Sequence, residues 1–203
     1  MLDNQKSLLK RFFDIVVSFI GILILIPFFF IIGLLVFITS GFPIFYLQTR
    51  VGKNGKDFKL FKFRTMHTNA DKQGLLTVGG HDPRVTKIGY YLRKYKLDEL
   101  PQLFNVLIGS MSLVGPRPEV SKYVDLYTDE QKKVLTVKPG ITDFASLEFI
   151  NENDLLSKSN NPEKTYIEEI MPAKLSLNAK YMEQQSVLTD FKIILNTIFK
   201  ILK

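Results

Sequence analysis

The chain carries no charged residue between Asp14 and Arg50, and within that gap Ile15 to Ile38 is almost wholly apolar. As a helix this core would measure ~36 Å, enough to cross a hydrocarbon layer of ~30 Å. The run is too long for a secretory signal, and no small-residue cleavage site follows it. Pro27 sits near its middle. A proline there removes a helix hydrogen bond and kinks the chain, although transmembrane helices tolerate it. Lys6, Lys10 and Arg11 precede the run; Arg50, Lys53, Lys56, Lys59, Lys62 and Arg64 follow it. Positive charge marks the cytoplasmic side of a membrane, and here both flanks carry it. Two readings stay open on these residues. One is a single spanning anchor. The other is a re-entrant hairpin broken at Pro27, with arms of ~18 Å each. Ser40-Gly41-Phe42-Pro43 ends the segment with turn chemistry. This predicts a membrane unit over 1–43 and a cytoplasmic unit over 44–203.

Beyond Pro43 the pattern changes. Ile44 to Val51 and Asp57 to Met66 are β-prone and flank Asn54-Gly55, which predicts a β-hairpin. Phe58 to Arg64 interleaves apolar and basic side chains, either as an ordinary amphipathic strand or as a basic face toward phosphate. Residues 67 to 83 read as loop. Val85 to Lys96 predicts a helix. A second helix is expected to open at Asp98-Glu99, carry Pro101 in its first turn and stop at Gly109. Residues 121 to 136 read as helix, Lys138-Pro139-Gly140 as a turn and 151 to 164 as a surface loop. Thr189-Asp190 is expected to cap a helix from Phe191 to Leu202. On it Phe191, Ile194, Leu195, Ile198 and Leu202 share one face, suiting an interfacial or a core helix. The fold class is mostly α with a small β-hairpin.

Composition narrows the chemistry. The 203 residues carry a formal charge of +7, which favours anionic partners. With no cysteine there is neither a disulfide framework nor a thiolate metal site. His67 and His81 alone make zinc improbable, so any metal would be a hard cation held by oxygen. Asp98 and Glu99 are the candidate acids. Their ordinary role is to sit at a helix start, where the macrodipole stabilises them. Alternatively, an aspartate can attack phosphorus as a nucleophile, with an adjacent glutamate holding Mg²⁺. Arg117, between Pro116 and Pro118, is a guanidinium on a stiff loop suited to phosphate. Arg93 is a further phosphate candidate.

Six ordered stretches then carry a resemblance: Gln48-Thr49-Arg50-Val51-Gly52, Lys62-Phe63-Arg64-Thr65-Met66, Asp82 through Gly89, Leu97-Asp98-Glu99-Leu100-Pro101-Gln102-Leu103, Met111 through Glu119 and Lys138 through Thr142. The chain resembles the bacterial sugar transferases, the monotopic phosphoglycosyl transferases that start glycan assembly on polyprenyl phosphate. The resemblance implies that Asp98 takes a sugar phosphate from a UDP-sugar, expels UMP and passes the group to polyprenyl (undecaprenyl) phosphate. It implies Mg²⁺ at Glu99 and Asp98, and Arg93 and Arg117 near the phosphates. Lys62, Arg64, Arg84 and Pro118, within the matching stretches, are substrate-binding candidates. It also implies a re-entrant segment broken at Pro27, interfacial helices and no nucleic-acid partner. The location implied is the cytoplasmic face of a bacterial inner membrane, in contact with its lipid.

Some positions depart from the family pattern. Ile26 stands where serine often precedes the proline, and His81 where relatives often have an aspartate. Asp143 through Phe149 replaces a glycine- and glutamine-containing run, so the sugar is not carried across. No multi-helix extension precedes the unit, as expected of a compact minimal form. Two rivals remain at this point: a membrane-anchored basic module binding anionic lipid or nucleic acid without catalysis, and a phosphohydrolase using the same acids with water.

Overall fold

A computed structural model describes residues 2–70, 74, 76–78 and 82–202; His81 and Lys203, and the side chains of residues 2–6 and of Leu202, lie outside the described set. Its dominant element is α1, Leu2–Ser40, which runs through Pro27 as one helix. The segment is thus not divided into two separate helices at Pro27. The proline ring removes one backbone hydrogen bond, while the helix on both sides of it is packed against the rest of the chain. Asp14, Ser18, Ile22, Ile32 and Val36 are buried, at helical spacing along one stripe. Ile32 and Val36 join Phe63 and Leu92 in one core cluster, and Phe13 and Val17 border another. The other faces of α1 stay apolar and exposed, from Leu8 and Phe12 through Ile24, Phe28 and Phe30 to Ile38.

Both ends of α1 are tied down. Near its start the Arg11 guanidinium donates to the Val106 and Leu107 carbonyls at 2.6 and 2.9 Å. Asp14 accepts from Ser112 Oγ and the Leu113 N–H at 3.1 and 3.0 Å. Lys10 pairs with Asp190 and donates to the Val114 carbonyl. At the other end Arg64 donates to the carbonyls of Ser40, Gly41 and Phe42. A guanidinium there meets the free carbonyls and negative dipole end of the helix.

The hairpin forms as its sequence predicts: β1, Phe45–Val51, pairs antiparallel with β2, Asp57–Phe63. Asn54 and Gly55 take positive φ in the turn. Helix α2, Lys87–Lys94, is capped by Thr86 and packs on the extension of β2. A Cβ on Gly89 would lie 2.1 Å from the Thr65 carbonyl oxygen, so only glycine allows this approach. After α2, Lys96 turns left-handed and leads into a 3-10 turn, Leu97–Glu99. Helix α3, Gln102–Ile108, follows and ends at left-handed Gly109. Asp98 and Glu99 thus occupy their own turn rather than the first turn of α3. Asn105 of α3 fixes it to β2: its side chain accepts from the Phe61 N–H at 2.9 Å and donates to the Lys59 carbonyl at 2.8 Å.

Several later segments differ from expectation. Residues 121 to 136 are not one helix but α4, Ser121–Val124, and a 3-10 helix, Gln131–Thr136. Between them Thr128 and Gln131 bond each other's backbone N–H, a capping box that starts a new helical segment. Gly140 is not merely a turn residue: β4, Gly140–Thr142, pairs in parallel with buried β3, Ser112–Val114. Helix α5, Phe144–Glu148, is capped by Asp143. The expected loop 151–164 contains α6, Glu152–Ser157, and α7, Pro162–Thr165. A π turn, Tyr166–Ile170, precedes α8, Met171–Glu183. The last helix, α9, spans Val187–Leu202. Ser186 Oγ accepts from the Thr189 N–H, as a helix cap does. Asp190 is buried inside the helix, where it bonds Lys10 and Tyr181. Leu188, Phe191, Leu195, Ile198 and Phe199 form an exposed apolar face on α9, while Ile193 turns to the core.

Candidate active site

The 3-10 turn delivers Asp98 and Glu99 to the lining of a cavity of about 660 Å³, a size that suits a nucleotide-like ligand. Glu99 is held by two cations. Arg117 forks onto it, Nη1 to Oε2 at 3.1 Å and Nη2 to Oε1, and Lys62 Nζ lies 3.0 Å from Oε1. Burial alone would raise the Glu99 pKa, but Arg117 and Lys62 outweigh it and hold the carboxyl well below its ordinary range. Asp98 is 5% exposed and takes no hydrogen bond from any described residue. Burial, then the neighbouring Glu99 charge, pushes its pKa up; Lys62, Arg93 and Lys96 oppose the rise. One acid is ionised and paired, while the other is unpaired and more basic than an ordinary aspartate.

The loop bearing Arg117 is pinned residue by residue. The Gly115 N–H donates to Thr142 O at 3.0 Å, and Pro116 O accepts from the Gly140 N–H at 3.0 Å. The Arg117 N–H donates to Asp143 at 3.3 Å, and Arg50 donates to the Pro118 carbonyl at 3.1 Å. Arg93 reaches the same cavity from α2, held by Thr65 and Thr77 hydroxyls at 3.0 and 3.1 Å.

The bacterial sugar transferase family matches residues 5–203. The chain belongs to that family. It is 36% identical to the UDP-glucose:undecaprenyl-phosphate glucose-1-phosphate transferase of Escherichia coli over 203 residues, 98% of this chain and 41% of that protein. It is 35% identical to the exopolysaccharide production protein PSS of Rhizobium leguminosarum, covering 94% of this chain and 93% of the relative. An Aeromonas hydrophila UDP-N-acetylgalactosamine-undecaprenyl-phosphate N-acetylgalactosaminephosphotransferase is 40% identical over 70% of this chain and 34% of its own. The chain thus spans less than half of two of these three relatives.

In this family member the cavity gathers Asp98, Glu99, Lys62, Arg93 and Arg117. The other substrate-binding candidates have different places. Arg64 borders the cavity, but its guanidinium is spent on the carbonyls ending α1. Arg84 is taken up by Asp82 and by the Gly74 and Leu76 carbonyls, and so shapes a loop. Pro118 lines a separate small crevice. The β2 cations do not form a free basic face either, since Lys59 donates to Thr49 and Lys62 to Glu99. That weakens the β2 part of the motive for a non-catalytic basic module and leaves the net charge of +7 as its other part. Lys96, Arg50 and Glu119 also line the cavity and were missed. Lys96 stands two residues before Asp98, and Arg50 and Glu119 lie in stretches that carry the family resemblance. Among the described residues no three His, Asp or Glu side chains converge as a metal site.

Proposed function

We propose that this chain transfers a sugar 1-phosphate from a UDP-sugar to polyprenyl (undecaprenyl) phosphate through a covalent intermediate on Asp98. The carrying observation is the unpaired, buried Asp98 carboxylate beside a glutamate already neutralised by Arg117 and Lys62. A carboxylate oxygen of Asp98 attacks the β-phosphorus of the donor. The bond from that phosphorus to the bridging oxygen breaks, and UMP leaves with the oxygen. A phosphate oxygen of the lipid acceptor then attacks the same phosphorus and displaces Asp98, yielding a polyprenyl diphosphate-sugar that starts glycan assembly. Arg93 and Arg117 hold the diphosphate oxygens, and Lys62 keeps Glu99 ionised. The names of the relatives, which pair UDP-sugars with undecaprenyl phosphate, support this reading. Two adjacent carboxylates fit Mg²⁺ when donor phosphates complete its oxygen shell; Asp98 and Glu99 would hold it, Glu99 by sharing the oxygens now given to Arg117 and Lys62. The cation would neutralise diphosphate charge. Protein given Mg²⁺, UDP-sugars and polyprenyl phosphate should release UMP. In the metal-free protein Asp98 should titrate above the ordinary aspartate pKa of 3.8, as read by carboxyl NMR, because burial and the Glu99 charge raise its pKa. No UMP from any UDP-sugar would overturn the proposal.

We also propose that both ends of α1 lie on the cytoplasmic side of a bacterial inner membrane. Residues Ser7–Ser40 are long and apolar enough to cross a membrane. The same folded unit nevertheless grips Arg11 and Asp14 at one end and Ser40 to Phe42 at the other. The exposed apolar faces of α1 and α9 exceed what a water-facing surface carries. Gln5→Cys and Lys56→Cys should both react with an impermeant thiol reagent only from the cytoplasmic side. Periplasmic labelling of either would make α1 a spanning anchor.

A further inference from the structure

The cavity is also lined by polar side chains that phosphoryl transfer does not require. Glu152, at the start of α6, pairs with Lys174 of α8 at 2.9 Å. Lys174 Nζ also lies 5.4 Å from the centroid of the Tyr166 ring. The Tyr166 hydroxyl donates to Glu119 Oε2, and Arg50 donates to Glu119 Oε1 at 2.6 Å. All five side chains line the cavity that holds Asp98. They meet there from β1, the segment after Pro118, α6, the π turn and α8. Tyr166 opens that π turn, a geometry frequent at functional sites.

Two groups of charged side chains line the cavity, and their balances differ. In the first group, among the described residues, Lys62, Arg93, Lys96 and Arg117 outnumber Asp98 and Glu99, four cations to two carboxylates. That excess suits a diphosphate. In the second group, among the described residues, Arg50 and Lys174 are matched by Glu119 and Glu152, two to two. Carboxylates repel phosphate oxygens, and they offer nothing to a hydrocarbon chain. They are strong acceptors for hydroxyls. Lys174 supplies donors beside them, and the Tyr166 ring offers an apolar face.

We infer that Glu119, Glu152, Tyr166 and Lys174 form a subsite for a neutral, hydroxyl-rich ring of the nucleotide-sugar donor. The inference rests on the proposed transferase reading and adds the residues that choose the donor. Such a ring occurs twice in a UDP-sugar, as the transferred sugar and as the ribose. A site that pairs buried polar groups with substrate hydroxyls discriminates strongly, because a misplaced hydroxyl leaves them unpaired.

The test uses the full chain in lipid nanodiscs. Glu152→Gln, Lys174→Met and Tyr166→Phe are compared with the parent for UMP release from UDP-glucose, UDP-galactose and their N-acetyl counterparts, and for inhibition by UMP. The variants are expected to raise KM for the preferred donor by about tenfold or more, the discrimination one misplaced group supports. Discrimination between 4-epimers should narrow similarly. If UMP inhibition holds while epimer discrimination falls, the ring is the sugar. If UMP inhibition weakens in step with KM for every donor, it is the ribose. KM, discrimination and UMP inhibition all within twofold of the parent in all three variants would overturn the subsite. A parent protein that releases no UMP from any donor removes the transferase reading itself, and the subsite with it.

Discussion

An Asp98→Asn variant should lose turnover by roughly 10⁴-fold or more, about 5 kcal/mol of transition-state stabilisation. The amide keeps the shape of the side chain but cannot attack phosphorus. Mass spectrometry of parent protein incubated with donor alone should find a phosphosugar on Asp98, and the variant should carry none. Loss of folding is distinguishable because the stability effect has the opposite sign. The folded-state pKa of Asp98 is raised, chiefly by burial. A carboxyl with a raised pKa contributes most stability below its unfolded pKa and loses it as pH rises through the folded value. At neutral pH the ionised group therefore costs stability, and Asn removes that cost. The variant should melt no lower than the parent while being inactive. A variant with the parental rate would end the assignment of Asp98 as nucleophile.

Glu99→Gln should be the second most damaging change, lowering kcat/KM by roughly 10²- to 10³-fold, the range for removing one preorganised electrostatic partner. Its carboxylate sets the positions of both Arg117 and Lys62. Losing it leaves two cations without their counter-charge. Breaking a buried pair costs about 3–5 kcal/mol, but the Arg117 side chain is 34% exposed, so solvent screening reduces the expected loss to about 2–3 kcal/mol. The pH profile gives a more specific readout. Glu99 raises the pKa of Asp98, whereas Lys62 lowers it. Removing the negative charge while keeping the cations should move the titration of Asp98 in the metal-free protein to lower pH. An unchanged titration with reduced activity would mean that Glu99 does not set the Asp98 pKa.

Much of this was legible in the chain because the signals are local. Asn54-Gly55 requires a turn with positive φ, and the hairpin formed there. Gly109 ends α3 in the left-handed conformation that glycine permits. The Asp98-Glu99 pair and the proline-flanked Arg117 were found from spacing and from the family stretches around them. The missed parts are those whose partners are distant. Lys10 and Arg11 read as a basic membrane flank, yet Lys10 pairs with Asp190 and Arg11 caps the carbonyls of α3. Arg64 read as a phosphate ligand, yet it closes the end of α1. Glu152 and Lys174 carry no local signal, since α7 and the π turn lie between them in the chain.

The sequence by itself determined that there is a long apolar helix, a hairpin, a family membership and an acid pair among arginines. Those features depend on residue identity and short spacing. Only the tertiary structure decided which stripe of α1 packs against the rest, because an all-round apolar helix has no preferred face. Only it decided the roles of the charges. A guanidinium or carboxylate is generic until burial gives it a partner. Glu99 became the paired acid because Arg117 and Lys62 converge on it, and Asp98 the open one because nothing described does.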